Sequence, residues 1–153
     1  MCSEDLAKAV NEHKTGFDRL LGLEITEASS QRVCAQLRIA QCHTQIHGVV
    51  HGGVYASIVE TLGSIGAALS ARSFGRTIVG VDNHTSFLRA VGEGTLTAVA
   101  EPISAGRRTQ VWSIRISDAA GTLIAVGQLR VLCLEKDTLT NAGSAPPGSP
   151  FAT

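Results

Sequence analysis

The sequence feature that most constrains the fold is one long apolar segment with helical periodicity in the middle of the chain. Its apolar residues recur every three or four positions, at Val54, Ile58, Leu62, Ile65 and Leu69. The pattern predicts a single helix over 52–72, about 31 Å long at roughly 1.5 Å per residue. A helix that is both long and apolar must be covered, and a sheet is a surface that can cover it.

The segments on either side of this helix alternate between apolar and polar residues, as half-buried strands do. Before the helix, 23–39 predicts a hairpin that turns at the polar residues 29–31. After it, four segments rich in Val, Ile and Thr predict strands over 77–88, 95–103, 110–117 and 123–134. Short turns between them favour antiparallel pairing. We therefore predict an α+β fold, with an antiparallel sheet of about six strands packed against one central helix.

Length and composition predict one folded domain with an extension at each end. The chain has 153 residues, of which 44% are hydrophobic and 17% charged, enough for a single core. Residues 1–19, with the capping-type residue Ser3, predict an N-terminal helical segment, and 20–135 are predicted to form the domain. Residues 136–153 are rich in Gly, Ser, Ala and Pro, which predicts a flexible C-terminal tail.

Charge and cysteine usage disfavour several classes of protein. Thirteen Lys and Arg residues balance thirteen Asp and Glu residues, so the formal net charge is zero. Neither nucleic acid nor a membrane is therefore expected as a partner, whereas so few charges favour self-association. The start of the chain lacks a secretion-signal pattern, no membrane span is predicted, and the four cysteines form no CxxC pair. These features predict a cytoplasmic oligomer with free thiols.

Gly52 and Gly53 stand at the start of the predicted helix and are the first candidates for chemistry. Amide N–H groups at a helix N-terminus lack intrahelical acceptors, and the helix dipole adds about half a positive charge there. Such amides can stabilise the oxyanion that forms when a carbonyl group is attacked. The alternative is that the two glycines only allow a tight turn against the sheet.

Glu60 is the second candidate, because it lies among small and apolar residues with no basic side chain within one helical turn. It could be a nucleophile or general base facing a pocket, an acid at an exposed helix edge, or the partner of an arginine from another strand. Gly52 and Glu60 are eight residues apart, about 12 Å along one helix. A reacting carbonyl must lie close to both groups, so a shared site requires Glu60 from one subunit and Gly52 from another.

Three motifs accompany these candidates: Val50-His51-Gly52-Gly53 with Tyr55 and Glu60, Asn83-His84-Thr85-Ser86-Phe87 with Arg89, and Gly106-Arg107-Arg108. Together they resemble the hotdog-fold acyl-CoA thioesterases, in particular the group of PaaI-like and 4-hydroxybenzoyl-CoA thioesterases, over about 20–135. The resemblance implies a curved antiparallel sheet wrapped around the long helix. It also implies homodimers that share a continuous sheet, pairing of dimers into homotetramers, and active sites between protomers.

The resemblance also implies a reaction and roles for individual residues. The reaction is hydrolysis of an acyl-CoA thioester to a free acid and coenzyme A, with the Gly52 amide polarising the carbonyl and Glu60 of the partner subunit as nucleophile or general base. The other implied catalytic residues are Ser64, which helps to orient water, Gln45 and His51. The implied substrate-binding residues are Gly53, Tyr55, Asn83, His84, Thr85, Arg89, Arg107 and Arg108. The three arginines would hold the coenzyme A phosphates, although adjacent arginines can equally form a solvated strand edge.

Three histidines spaced by four residues, His43, His47 and His51, stand beside Cys42 and would align as a zinc site only on a helix. The glycines between them disfavour a helix, so we expect no metal, a bracing role for His51, and no cofactor beyond the coenzyme A of the substrate. Two other activities remain open. One is an acyl-thioester hydratase or dehydratase, distinguished by an unsaturated acyl product instead of a free thiol. The other is a non-catalytic acyl-CoA-binding protein, which would show no turnover.

Overall fold

The computed structural model describes residues 2–135, which form three helices, six strands and two short 3-10 turns at Gln41–His43 and Arg72–Phe74. The helices and strands are α1 (Ser3–Glu12), α2 (Gly16–Leu21), β1 (Glu24–Ala28), β2 (Val33–Arg38), α3 (Gly52–Ala71), β3 (Arg76–Phe87), β4 (Thr95–Ala105), β5 (Thr109–Ser117) and β6 (Leu123–Glu135). Met1 and the predicted tail over 136–153 lie outside the described residues.

The six strands form one sheet in the order β1-β2-β4-β5-β6-β3, and every neighbouring pair is antiparallel. Strand β3 follows α3 after the 3-10 turn at Arg72–Phe74, and in the part of the chain that the structure describes it pairs only with β6, so β1 and β3 are the two edge strands of this sheet. The predicted α+β fold, an antiparallel sheet of about six strands with one long central helix, is confirmed. The strands after the helix start and end within two residues of their predicted limits.

Helix α3 packs against the sheet at strands β2 to β6, and two of its glycines permit the close approach. A Cβ atom at Gly63 would lie 2.6 Å from Leu129 Cδ2, and one at Gly66 would lie 2.5 Å from Trp112 Cη2. By length and composition Gly52–Phe74 could cross a membrane, but 61% of its most apolar window is buried inside the fold. Core packing therefore accounts for its hydrophobicity.

Helix α1 lies against β1 at one edge of the sheet, whereas α2 contacts α3. Asn11 imitates a neighbouring strand: its Nδ2 donates to the Ile25 carbonyl oxygen at 2.8 Å, and its Oδ1 accepts from the Ile25 amide at 3.0 Å. Lys14 Nζ donates to the carbonyl oxygen of Leu23. These side-chain bonds join α1 and the turn after it to the start of β1.

The N-cap of α1 is Cys2 rather than the predicted Ser3. Cys2 Sγ accepts from the Asp5 amide at 3.4 Å, and the Asp5 carboxylate accepts from the Cys2 amide at 3.1 Å. Ser3 already has helical geometry, so its hydroxyl cannot fill the capping position. All four cysteines are free thiols.

Candidate active site

The N-terminus of α3 leaves one amide open. His51 is the N-cap residue, and its Nδ1 accepts from the Gly53 amide at 2.8 Å. The Val54 amide donates to the His51 carbonyl oxygen at 2.9 Å, whereas the Gly52 amide has no acceptor within 2–135. Of the two glycine amides marked by the sequence, only that of Gly52 can therefore donate to a ligand at the positive end of this helix.

A phenyl ring covers Gly52. A Cβ atom added to Gly52 would lie 2.5 Å from Phe87 Cε2, and the rings of Phe87 and Tyr55 have centroids 5.7 Å apart. Tyr55 is buried and its hydroxyl has no hydrogen-bond partner among the described residues, while burial raises its pKa above the ordinary 10.0. These three residues and Arg89 line a cavity of about 250 Å³.

The Glu60 carboxylate is held by a neutral amide rather than by a cation. Asn83 Nδ2 donates to Glu60 Oε2 at 2.9 Å and to the Ala56 carbonyl oxygen at 3.0 Å, and Thr85 Oγ1 donates to Asn83 Oδ1 at 2.8 Å. No ion pair to Glu60 occurs within 2–135. Within the described residues, therefore, no arginine from another strand pairs with Glu60. His84 lies between two residues of this network and so points to the opposite face of β3.

Gly80 in β3 is a site residue that the sequence reasoning missed. A Cβ atom there would lie 3.0 Å from Glu60 Oε1, tighter than ordinary contact. A lone glycine inside a strand often indicates that another group approaches the backbone closely. That signal was present in the sequence, but it does not say which side chain approaches.

Gly52 and Glu60 lie in the first and third turns of the same helix, about 12 Å apart along its axis. Ser64 is one turn beyond Glu60, and the two residues line a second cavity of about 360 Å³. His13, Lys14 and Asp18 of the N-terminal segment also line this cavity, and the sequence analysis singled out none of them. One chain thus carries the open amide and the carboxylate at separate places.

The loop before α3 is tightly hydrogen-bonded. Gln45 Oε1 accepts from the His47 amide at 2.6 Å, and the Gln45 amide donates to the Val49 carbonyl oxygen at 2.8 Å. The Gln45 Nε2 group has no acceptor among the described residues. His43 is buried, with its Nε2 3.0 Å from the Leu21 carbonyl oxygen, so it is committed to the fold. Residues 2–135 contain no cluster of three metal-ligating side chains.

The three candidate arginines lie at opposite ends of the sheet within one chain. Arg89 follows the end of β3. The Arg108 carbonyl oxygen accepts from the Cys133 amide, and Cys133 pairs with Ile78 near the start of β3. The distance between these ends is about 30 Å along the strand. Arg89 therefore cannot share a phosphate with Arg107 and Arg108 of its own chain.

Comparison with known proteins agrees with this architecture. The family model of the thioesterase superfamily matches residues 47–125. The chain belongs to the thioesterase superfamily. A Mycobacterium tuberculosis protein named as an esterase is 40% identical over 121 residues, spanning 78% of this chain and 86% of that protein. Its solved structure superimposes with a TM-score of 0.76 and covers 78% of this chain and 96% of that one.

Two further members extend the comparison. A solved thioesterase from Haemophilus influenzae is 32% identical, with a TM-score of 0.78 and coverage of 88% of this chain and 92% of the other. A 1,4-dihydroxy-2-naphthoyl-CoA hydrolase of Listeria monocytogenes is 31% identical over 79% of this chain and 98% of its own length. The predicted hotdog fold and thioesterase class are thereby confirmed.

Proposed function

We propose that this thioesterase-superfamily member hydrolyses acyl-CoA thioesters to a free acid and coenzyme A. The observation that carries the proposal is the open Gly52 amide at the N-terminus of a 20-residue helix. The thioester carbonyl oxygen accepts from this amide, which stabilises the negative charge that develops when the carbonyl carbon is attacked. His51 supports the arrangement because it occupies the Gly53 amide and fixes the first turn of α3.

Glu60 supplies the attack, either as a base or as a nucleophile. As a base it takes a proton from water, the hydroxide adds to the carbonyl carbon, the C–S bond breaks, and the coenzyme A thiolate leaves and is protonated. As a nucleophile it forms an acyl anhydride with release of the thiolate, and water then hydrolyses the anhydride. Ser64 and the free Nε2 group of Gln45 orient the water and the thioester.

The reacting Glu60 comes from a second copy of the chain. Eight residues of helix separate it from Gly52 of its own chain, too far for both to reach one carbonyl group. Within the described range, strand β3 pairs on one side only, and Glu60 lies beside Gly80 and Asn83 of this strand. Antiparallel pairing of two β3 edges would form a homodimer with a continuous sheet and bring each Glu60 towards the other chain.

The same pairing of β3 edges would bring the candidate phosphate-binding arginines of two copies close together. Antiparallel β3 edges bring the start of one strand to the end of the other, so Arg107 and Arg108 of one copy approach Arg89 of its partner. Fork-shaped guanidinium groups suit the phosphates of coenzyme A. On the outer face of the sheet, Val79, Val81, Ile103 and Leu132 are exposed. Their apolar surface supports pairing of dimers into a PaaI-like homotetramer in the cytoplasm.

The deciding experiment measures thiol release from a panel of aromatic, short and long acyl-CoA esters. We expect Glu60→Gln to lower kcat by about 10³-fold or more while acyl-CoA binding survives, and Glu12→Gln on the exposed side of α1 to have no effect. An unsaturated acyl product without thiol would favour the hydratase or dehydratase. Ligand binding by a wild-type protein that turns over no ester would favour a non-catalytic binder.

A mixing experiment tests the shared site. Glu60→Gln and Gly52→Pro each disable both sites of a homodimer, but a mixed dimer retains one site with an intact amide and an intact carboxylate. Equal mixing should therefore restore about a quarter of the wild-type activity. Activity that stays at the level of the single variants would mean that the two groups do not act across subunits.

A further inference from the structure

The hydroxyl group of Tyr55, near the N-terminus of α3, is a buried polar group without a partner. Tyr55 is the only tyrosine of the chain and is 3% exposed. Its Oη atom has no hydrogen-bond partner among the described residues. Buried polar groups without a partner are uncommon because each one costs free energy. A ligand bound at this place can supply the missing partner.

The Tyr55 side chain extends over the first turn of α3. Tyr55 follows Gly52 by three residues, so the two lie on the same face of the helix. Long side chains on a helix extend towards its N-terminus, which directs the Tyr55 ring to the turn that begins at Gly52. The Phe87 ring agrees with this placement, because it lies against Gly52 and its centroid is 5.7 Å from that of Tyr55. Tyr55 and Gly52 both line the cavity of about 250 Å³ at this end of α3.

The side chains around this cavity offer hydrogen-bond donors but no acceptors apart from the phenol itself. Besides Gly52 and Tyr55, the cavity is lined by Val49, Val50, Phe87, Leu88, Arg89 and Ala90. Five of these six side chains are hydrocarbon, and the Arg89 guanidinium group can only donate. The Gly52 amide is a further donor, without an acceptor within 2–135. The cavity therefore suits a ligand oxygen that accepts hydrogen bonds.

We infer that Tyr55 is a catalytic residue, whose hydroxyl is the second donor, beside the Gly52 amide, to the thioester carbonyl oxygen. The inference rests on the proposed function, in which this oxygen becomes negative when the carbonyl carbon is attacked. Two donors directed at one developing charge stabilise the transition state more than the ground state. The hydroxyl donates a hydrogen bond and keeps its proton, so every bond that forms or breaks belongs to Glu60, water and the thioester.

The surroundings of Tyr55 suit a donor of this kind. Burial raises the pKa of Tyr55 above the ordinary 10.0, so the phenol keeps its proton at neutral pH. Its low exposure also limits competition from bulk water for the hydroxyl. The Phe87 ring is 57% exposed at the end of β3, so it has space to turn outward when a carbonyl group enters.

The kinetic test removes the hydroxyl and keeps the ring. In Tyr55→Phe protein we expect kcat to fall by about tenfold or more with little change in KM. Ser57→Ala is the matched control, because it removes an α3 hydroxyl that donates to the Gly53 carbonyl oxygen and lies outside this cavity and the one beside Glu60. A smaller loss in folded Tyr55→Phe protein, a rise in KM at constant kcat, or an equal loss in the control would overturn the inference.

A spectroscopic test needs no turnover. Because the chain has one tyrosine, labelling its Cζ atom with ¹³C gives one NMR signal, whose chemical shift reports hydrogen bonding by the hydroxyl. In Glu60→Gln protein we expect benzoyl-CoA to move this signal. S-benzyl-CoA, in which a methylene group replaces the carbonyl group, should leave the signal at its position in the free protein.

The two tests separate the inference from the proposed function. A shift that only the ester causes, in a protein that hydrolyses no ester, would refute the proposed function and retain the contact between Tyr55 and the carbonyl oxygen. Thiol release by the wild-type protein, together with a bound ester that leaves the signal unmoved, would overturn the inference alone. The same shift with both ligands would also overturn it, because the hydroxyl would then bind another part of coenzyme A.

Discussion

Asn83 fixes the carboxylate of Glu60 across the gap between β3 and α3. Its Nδ2 is shared between Glu60 Oε2 and the Ala56 carbonyl oxygen, and its Oδ1 is held by the Thr85 hydroxyl. Because both the nitrogen and the oxygen of the Asn83 side-chain amide have hydrogen-bond partners, the amide has one orientation. The absence of a side chain at Gly80 leaves room for the other carboxylate oxygen, Glu60 Oε1. This neutral support orients Glu60 without an ion pair from any described residue.

Replacement of Asn83 by alanine should lower kcat by about tenfold or more with little change in KM, because the carboxylate loses its orientation but the substrate loses no contact. Thr85→Val should give a smaller loss in the same parameter, since it acts through Asn83. Steady-state kinetics with one acyl-CoA ester checks both. A rise in KM at constant kcat would instead assign Asn83 to substrate binding.

Two substitutions at Gly52 distinguish the effect of losing its amide N–H group from the effect of adding a side chain. Alanine keeps the N–H group, but its Cβ would meet Phe87 Cε2 at 2.5 Å. Proline adds a similar clash and removes the N–H group, at a first-turn position that tolerates proline after the extended His51 (ψ 136°). We expect Gly52→Pro to lower kcat about 10²-fold further than Gly52→Ala. Equal losses would show that steric conflict alone is responsible. Phe87→Ala in the Ala background should restore part of the activity.

Gly66→Ala should destabilise the protein by about 1–3 kcal/mol, although alanine is the better helix former by about 1 kcal/mol. Its Cβ would lie 2.5 Å from two atoms of the fully buried Trp112 ring. Urea unfolding measures the free energy of unfolding. Ala68→Gly, on the half-buried side of α3, is the control that measures the difference in helix propensity between alanine and glycine. A stabilised Gly66→Ala protein would contradict the packing described above.

Tyr55→Phe should leave the free energy of unfolding unchanged or raise it by about 1 kcal/mol, because it removes a buried hydroxyl that has no partner within 2–135. The difference should grow above pH 10. The raised pKa of Tyr55 means that the unfolded chain loses the phenol proton first, so wild-type stability falls as pH rises through 10.0. Chemical unfolding at pH 7 and pH 10.5 checks this. A large loss of stability at pH 7 would mean that the hydroxyl has a partner in the assembled protein.

Asn11→Ala should cost about 1–3 kcal/mol, because it leaves the amide and carbonyl groups of Ile25 without their partners. Hydrogen exchange at the Ile25 amide should accelerate more than exchange at amides in β5. Asn11→Asp retains the acceptor and should slow this exchange relative to Asn11→Ala. Equal exchange in all three proteins would exclude the strand-like role of Asn11.

Periodicity predicted the fold because it reports burial directly. The apolar spacing from Val54 to Leu69 located α3, and alternation located the strands to within two residues. A sheet of this size can cover the apolar surface of such a helix. The N-cap of α1 was predicted wrongly because Cys2 and Ser3 are adjacent, and the cap is decided by backbone geometry.

The site could be predicted only in part. Gly52 can be recognised from the local sequence because it begins a predicted helix, and Glu60 because it is an isolated acid among apolar residues. The contacts of Asn83 and Gly80 with Glu60 join residues more than 19 positions apart, and periodicity contains no information about such pairs. The position of Lys14 is similar, because a lysine in a short turn gives no sign that the residue lines a cavity.

The Asn11 side chain has a consequence for assembly. It occupies both backbone groups of Ile25 near the start of β1, so this edge offers fewer free backbone groups to another chain, whereas the outer side of β3 is unpaired within the described residues. A sheet with two open edges can polymerise without limit into fibres. A sheet that can be extended on one side only is complete once two copies have joined, so its growth ends there.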